Sequence, residues 1–403
     1  MRFGRKTGTV LGMIGVLVGP PSWEVTFGKA PARAGNGAEA RAAVFRGSAQ
    51  RTGQSPSADI AKAPRPKWNV PAGSAAPVGP VTDGESLYLL SEQTLRVLNV
   101  RTSKQGRIRL PFKIGSAEAG GAFPFTISDW VIYTNAVAED GLAPEKVHYF
   151  VAYDLRRSKA KWSVQTAGAA VMSPALHDGV VYFGSADGVL YAAEAQTGKE
   201  KWKFEVKDLS MAPVVVGEKS VFVVGTKGGR VCYAVDAATG EEKWRYRGFN
   251  LRALAQSDGV VYARNGSTEA ELVALDAATG KEKWKLGSEG TPVGWPAVSD
   301  GTLYFASKKA AGFYLNAVHA GTGEVKWRFP TGKGAAAYPL ATNKAVYFAA
   351  TDPAPGGIFA VAAATGEQIW KLDVELENLP RERPLLVQGT LCFIKGDMLH
   401  GLK

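Results

Sequence analysis

Ala234-Val-Asp-Ala-Ala-Thr-Gly-Glu-Glu-Lys-Trp244 is followed, 40 residues on, by Ala274-Leu-Asp-Ala-Ala-Thr-Gly-Lys-Glu-Lys-Trp284. The frame A-x-D-x-x-T-G-x-x-x-W recurs in weaker form at Ala192–Trp202, Ala317–Trp327 and Ala360–Trp370, where Glu194, His319 and Ala362 replace the Asp. At Ala152–Trp162 the Thr-Gly becomes Arg157-Ser158. Successive tryptophans are 40 to 43 residues apart. A period of that length, repeated this often, marks an architecture built from one supersecondary unit.

Residues 174–204 show what the unit is. Val180-Val-Tyr-Phe183 and Val189-Leu-Tyr-Ala-Ala193 are β-branched and aromatic runs joined by the turn Ala186-Asp187-Gly188. Pro174-Ala-Leu-His precedes them, and Lys201-Trp-Lys-Phe204 follows the Thr197-Gly198 turn. Four short antiparallel strands per unit make a β-propeller blade. Helical periodicity is absent. First strands begin near Pro80, Pro124, Pro174, Pro213, Leu254, Pro296, Pro339 and Pro384, which makes eight sets. Fourth strands fall at Trp162, Trp202, Trp244, Trp284, Trp327 and Trp370, with a degenerate one at Arg107–Leu110. The last set ends at its third strand, so Pro66-Lys-Trp68-Asn-Val70 is expected to supply the missing fourth and close the ring. The expected fold is therefore all-β, an eight-bladed propeller over 66–403. A seven-bladed ring is the alternative, because 124–162 is irregular.

The motif residues read as structural. Gly suits a turn with φ > 0, the Asp side chain caps that turn, and the tryptophan wedges between blades with its N–H bonded. Trp68, Trp162, Trp202, Trp244, Trp284, Trp327 and Trp370 are assigned this docking role. Cys232 and Cys392 fall in the fourth and eighth sets, on opposite sides of an eight-bladed ring. A disulfide needs Cα atoms within about 7 Å, so two free, buried thiols are expected.

The frame resembles the tryptophan-docking repeat of the pyrroloquinoline quinone (PQQ) propeller superfamily, and Phe45-Arg-Gly-Ser-Ala-Gln-Arg-Thr-Gly53 resembles the lead-in to its first strand. The resemblance implies one of two classes. Quinoprotein dehydrogenases oxidise alcohols or sugars with PQQ and calcium. They imply an adjacent Cys-Cys disulfide, a Glu/Asn/Asp calcium cage and an Asp base, and no run here supplies that set. The other class is non-catalytic propellers similar to the outer-membrane protein assembly factor BamB. That class is the expectation: a protein-binding scaffold, expected to be a monomer, with envelope or outer-membrane proteins as partners and no cofactor.

Composition agrees. The net charge is +11, of which the first 34 residues carry +4. The basic residues are spread over every repeat, which argues against nucleic acid as partner. Four scattered histidines and two cysteines leave no zinc pattern, and no nucleophile elbow, phosphate-binding or dinucleotide-binding loop occurs. Asp83-Gly84, Asp258-Gly259 and Asp300-Gly301 are turns rather than calcium loops.

Arg2, Arg5 and Lys6 precede the apolar run Thr9–Gly19, which is too short to span a bilayer and fits a secretory signal. Ala32-Arg33-Ala34 offers a cleavage site, giving 1–34 as signal and 35–65 as an N-terminal extension; an uncleaved anchor is the alternative. Export to the periplasm or beyond is expected. No lipidation Cys follows the apolar run, a departure from the assembly-factor class.

Propeller ligands bind at loops on one face or at the channel mouth. The residue before each first strand is expected to ring that mouth: Gly79, Phe123, Ser173, Ala212, Ala253, Trp295, Tyr338 and Arg383. Trp295, Tyr338 and Arg383, with Arg381 beside them and Phe123 across the ring, form the candidate binding face, since exposed aromatics with Arg suit a hot spot. Plugging of the channel by the same rings is the alternative reading. The insertion Asn135–Val147, with Glu139, Asp140 and Glu145, is a second candidate contact.

Overall fold

The structure is a computed structural model. It describes residues 54–55, 57–72, 78–91, 93–114, 125–138, 147–168, 173–206, 213–225, 230–248, 251–266, 270–287, 290–332, 337–350, 356–374 and 384–403. The propeller lies within Gly35–Lys403, and Met1–Ala34 lies outside the described residues.

Eight four-stranded antiparallel sheets form a ring, and no described residue is helical. Blade 1 is β2 (Val78–Thr82), β3 (Ser86–Ser91), β4 (Thr94–Asn99) and β5 (Gln105–Arg109). Blade 2 is β6 (Phe125–Ser128), β7 (Val131–Ala138), β8 (Val147–Asp154) and β9 (Lys159–Thr166). Blade 3 is β10 (Ala175–His177), β11 (Val180–Gly184), β12 (Val189–Glu194) and β13 (Glu200–Glu205). Blade 4 is β14 (Val215–Val216), β15 (Ser220–Gly225), β16 (Val231–Asp236) and β17 (Glu242–Arg247). Blade 5 is β18 (Arg252–Ser257), β19 (Val260–Asn265), β20 (Glu271–Asp276) and β21 (Glu282–Leu286). Blade 6 is β22 (Thr291–Ser299), β23 (Thr302–Lys309), β24 (Gly312–His319) and β25 (Val325–Gly332). Blade 7 is β26 (Ala337–Ala341), β27 (Ala345–Ala350), β28 (Gly357–Ala362) and β29 (Gln368–Asp373). Blade 8 is β30 (Leu385–Val387), β31 (Thr390–Lys395) and β32 (Met398–Leu402), completed by β1 (Pro66–Pro71). The ring has eight blades and not seven, and the N-terminal strand closes it.

Strand alternation explains the packing. Successive side chains point to opposite faces, so each blade feeds two interblade cores. Tyr88, Leu90, Leu95 and Val97 pack towards blade 2, while Leu87, Leu89 and Leu98 pack with Val70, Ile394 and Leu399 of blade 8. The Asp-Gly pairs are tight hairpin turns: Asp178-Gly179, Asp258-Gly259 and Asp300-Gly301 all have positive φ at both residues. Cys232 on β16 and Cys392 on β31 are free and buried, and burial pushes the Cys232 thiol up to about 12.

Six of the eight seams share one joint. Trp162 Nε1 donates to Ala195 O of the next blade at 3.0 Å. Trp202, Trp244, Trp284 and Trp327 do the same to Ala237, Ala277, Ala320 and Ala363 at 2.9–3.1 Å. Each of these carbonyls follows the Asp position of the frame. Tyrosines from second strands reinforce it: Tyr133 and Tyr262 hydroxyls donate to Ala195 O and Ala320 O at 3.2 and 3.1 Å. The indole lies flat on the glycine of the neighbouring Thr-Gly. At Gly240, φ is +78° and a Cβ would meet Trp202 Cδ2 at 2.7 Å, so the residue must be Gly twice over. Asp236 Oδ1 accepts from the Ala238 and Thr239 amides, and Asp276 Oδ1 from those of Ala278 and Thr279.

The sixth joint, from blade 7 to blade 8, uses borrowed parts. Blade 8 has no Thr-Gly turn, because its third and fourth strands come from opposite ends of the described chain. Trp370 Nε1 instead donates to Ile60 O at 2.8 Å. The segment around it is laced down: Asp59 accepts from the Thr342 and Tyr347 hydroxyls, and Ser55 Oγ donates to Leu386 O at 2.9 Å.

Candidate binding surface

The first strands of adjacent blades touch one another, β10 with β14, β14 with β18, β18 with β22 and β22 with β26, so they surround the axis. Four of them carry a register break. Pairing shifts between Val78 and Val81, Arg252 and Ala255, Val293 and Ala297, and Ala337 and Leu340. Pro80, Pro296 and Pro339 sit in three of these breaks, where the missing N–H costs no ladder bond.

These bulges move the expected mouth residues. Gly79, Ala253, Trp295 and Tyr338 lie inside first strands rather than before them, and β22 begins at Thr291, four residues ahead of Trp295. Trp295 and Tyr338 are half-buried. Trp295 packs on the core that blades 4 and 5 share, with Phe222, Leu254 and Val261. Tyr338 has φ +61°, strained for an aromatic residue, and Gly294 beside Trp295 has φ +69°. A Cβ on Gly294 would come within 3.2 Å of Tyr338 N. The structure thus brings the bulges of blades 6 and 7 together at one place on the axis. Ser173 is fully buried. Phe123, Ala212, Arg381 and Arg383 lie outside the described residues. Of the insertion, Asn135–Ala138 extends β7 and Val147 opens β8; Glu139, Asp140 and Glu145 are outside the described residues.

An open cleft of about 360 Å³ between blades 5 and 6 is lined by Ala270, Glu271, Gly287, Gly290, Thr291 and Lys308. It includes neither Trp295 nor Tyr338. Among the described residues, Ile369 is the exposed large hydrophobic side chain, so those residues present no broad apolar patch.

Sequence reasoning missed one surface. Residues 93–114 carry six Lys/Arg and no Asp or Glu. They include β4 and β5 of blade 1, where Arg96 and Arg107 face each other across the strand pair. Counting charge by strand rather than over the whole chain would have found it.

An eight-bladed ring of this repeat defines a propeller of the PQQ-like superfamily. More narrowly, residues 147–258 and 234–398 match the family described as outer membrane protein assembly factor BamB, and the chain belongs to that family. Solved structures show the same fold at low identity. The BamB structure from Moraxella catarrhalis is 15% identical with a TM-score of 0.56, over 84% of this chain and 99% of that one. Quinohemoprotein alcohol dehydrogenase from Comamonas testosteroni is 13% identical with a TM-score of 0.62, over 89% and 80%. A curated relative, serine/threonine-protein kinase AfsK of Streptomyces griseus, is 29% identical over 157 residues, or 37% of this chain. The chain spans 18% of that kinase's length.

The dehydrogenase neighbours raise the question of PQQ and calcium. Cys232 and Cys392 stand on separate blades as free thiols, which does not fit the adjacent disulfide that class implies. Among the described residues no three His, Cys, Asp or Glu side chains group where they could hold a metal ion.

Proposed function

We propose that this protein is an exported, non-catalytic propeller that scaffolds other proteins of the cell envelope. The observation that carries the reading is the family match across blades 2 to 8. The basic n-region and short apolar run at the N-terminus support export. The described carboxylates at the seams support a structural role: Asp236 and Asp276 are spent on turn amides rather than aimed at a ligand. The face for partners is expected on exposed strands and loops rather than in the axis, where Trp295 is half-buried in packing.

The test is titration of the purified protein with PQQ and calcium by calorimetry and absorbance, alongside crosslinking to envelope proteins in cells. The scaffold reading expects no saturable quinone binding and discrete crosslinked partners. Micromolar quinone binding followed by dye reduction with an alcohol or sugar overturns it.

A further inference from the structure

Blade 1 departs from blades 4, 5 and 7 at its outer edge: it loses the carboxylate and the ring that the cations of its fourth strand would meet there. In blade 4 the fourth strand reads Glu242-Lys-Trp-Arg245, and the Arg245 guanidinium bonds Glu242 at 2.6 Å while lying over the Tyr233 ring. In blade 5 Lys285 pairs with Glu282 at 2.9 Å. In blade 7 Lys371 pairs with Asp373 at 2.6 Å and lies over Phe359. Each cation thus has a carboxylate, and in blades 4 and 7 an aromatic ring as well.

The corresponding run in blade 1 is Gln105-Gly-Arg107, one residue shorter because the pairing there carries no bulge. Gln105, opposite Leu98 as Glu242 is opposite Val235, stands where the Glu should be. The cross-strand position that holds Tyr233 or Phe359 elsewhere is Arg96. Like charges directly opposite each other destabilise a strand pair. Arg96 Nε is buried and has no acceptor. Burial, and then Arg107, press the Arg96 pKa below its usual value. No ion pair reaches Arg96, Arg101, Lys104, Arg107 or Arg109 among the described residues. Among the described residues the arrangement lacks an anion.

The geometry narrows what that anion is. Arg107 and Arg109 are exposed on the same face of β5, about 7 Å apart along the strand, with Arg96 opposite Arg107. That is the spacing of alternate side chains in an extended peptide. β5 is the outermost strand of its sheet, so one side of its backbone is open for strand addition. Single-stranded nucleic acid would need rings for its bases to stack on; the blade 1 members of this face, Leu87, Leu89, Thr94, Arg96, Leu98, Gln105, Arg107 and Arg109, include none, and the neighbouring Trp68 is partly buried against its leucines.

We propose that the outer strand of blade 1, through Arg96, Arg107 and Arg109, docks an extended acidic segment of a partner protein. This deepens the scaffold reading by giving the partner's chemistry; the quinone titration tests that reading separately, so either can fail alone. The experiment uses a fluorescent peptide of alternating Glu and Thr, read by anisotropy at low and moderate salt, with labelled oligothymidine in parallel. Arg107→Glu/Arg109→Glu should weaken peptide binding by about tenfold or more, a loss above 1.4 kcal/mol. Lys201→Glu/Lys203→Glu on blade 3 makes the same charge change at exposed positions and should leave binding within about twofold. Arg96→Gln should raise the melting temperature, by relieving the like-charge pair, while lowering affinity. Equal losses from the two double variants, preference for oligothymidine, or no peptide binding to the wild type at low salt would each overturn the proposal.

Discussion

The joint between blades 4 and 5 and the joint between blades 8 and 1 solve the same problem unequally. At the first, Trp244 gives its N–H to Ala277 O and rests on Gly280. At the second, Trp68 sits at the same register, opposite Gly401 as Trp244 sits opposite Ala234, but its Nε1 is buried without a partner. The carbonyl it should reach, Val100 O, accepts instead from Lys67 Nζ at 2.9 Å. Ser103, with φ +58°, stands where the glycine should be. Blade 1 then passes no tryptophan on, since Gly106 occupies that position in β5. A repeat can therefore lose its joint and keep its blade, because interblade burial of Leu87, Leu89 and Leu98 remains.

The largest effect should come from the joint itself. Trp244→Ala should cost about 3–5 kcal/mol in urea unfolding, as expected for a buried indole. Trp68→Ala should cost about 1 kcal/mol less, since no hydrogen bond is lost with the ring. Equal costs would erase the distinction between the two seams. Next comes the glycine beneath the ring. Gly240→Ala should cost about 2–4 kcal/mol, combining left-handed strain with overpacking against Trp202. Gly259→Ala has the same sign of φ but nothing within 4 Å, so about 1–2 kcal/mol from strain alone is expected. The difference between the two measures the indole contact.

Blade 1 offers the converse experiment. Ser103→Gly should stabilise by about 0.5–1 kcal/mol through the backbone. A gain well above that, with a blue shift in Trp68 fluorescence, would mean that the joint re-forms. The smallest effect concerns acid. The Thr239 amide holds the Asp236 carboxyl below its usual range, and the Thr279 hydroxyl does so for Asp276. A depressed folded-state pKa stabilises above the unfolded value and is lost as pH falls through the folded one, so these turns should weaken below about pH 4. Asp236→Asn/Asp276→Asn should flatten that acid limb in denaturation measured at successive pH values. An unchanged limb would move the acid sensitivity elsewhere.

The Thr-Gly and Trp frame made blades 2 to 7 and their strand order readable, because one local pattern specifies both a turn and its neighbour. Ring closure by Pro66–Val70 was readable from the count alone. The bulges at Trp295 and Tyr338 were not, since a register break depends on how first strands crowd the axis and leaves only a proline behind. Ile60 as an acceptor was equally hidden: a backbone carbonyl has no side-chain signature. The acid-free edge of blade 1 was lost in an average, because the whole-chain charge looks evenly spread.

The pairing of β1 with β32 has a consequence for biogenesis. Leu402 lies opposite Pro66, so the first strand made waits for the last. Ribosomal synthesis runs from the N-terminus at ~5–20 residues per second. For the many seconds this chain takes to emerge, β1 has no native partner, and the ring cannot lock before residue 402 arrives. A circle whose closing strands meet only at completion delays its own locking for that long.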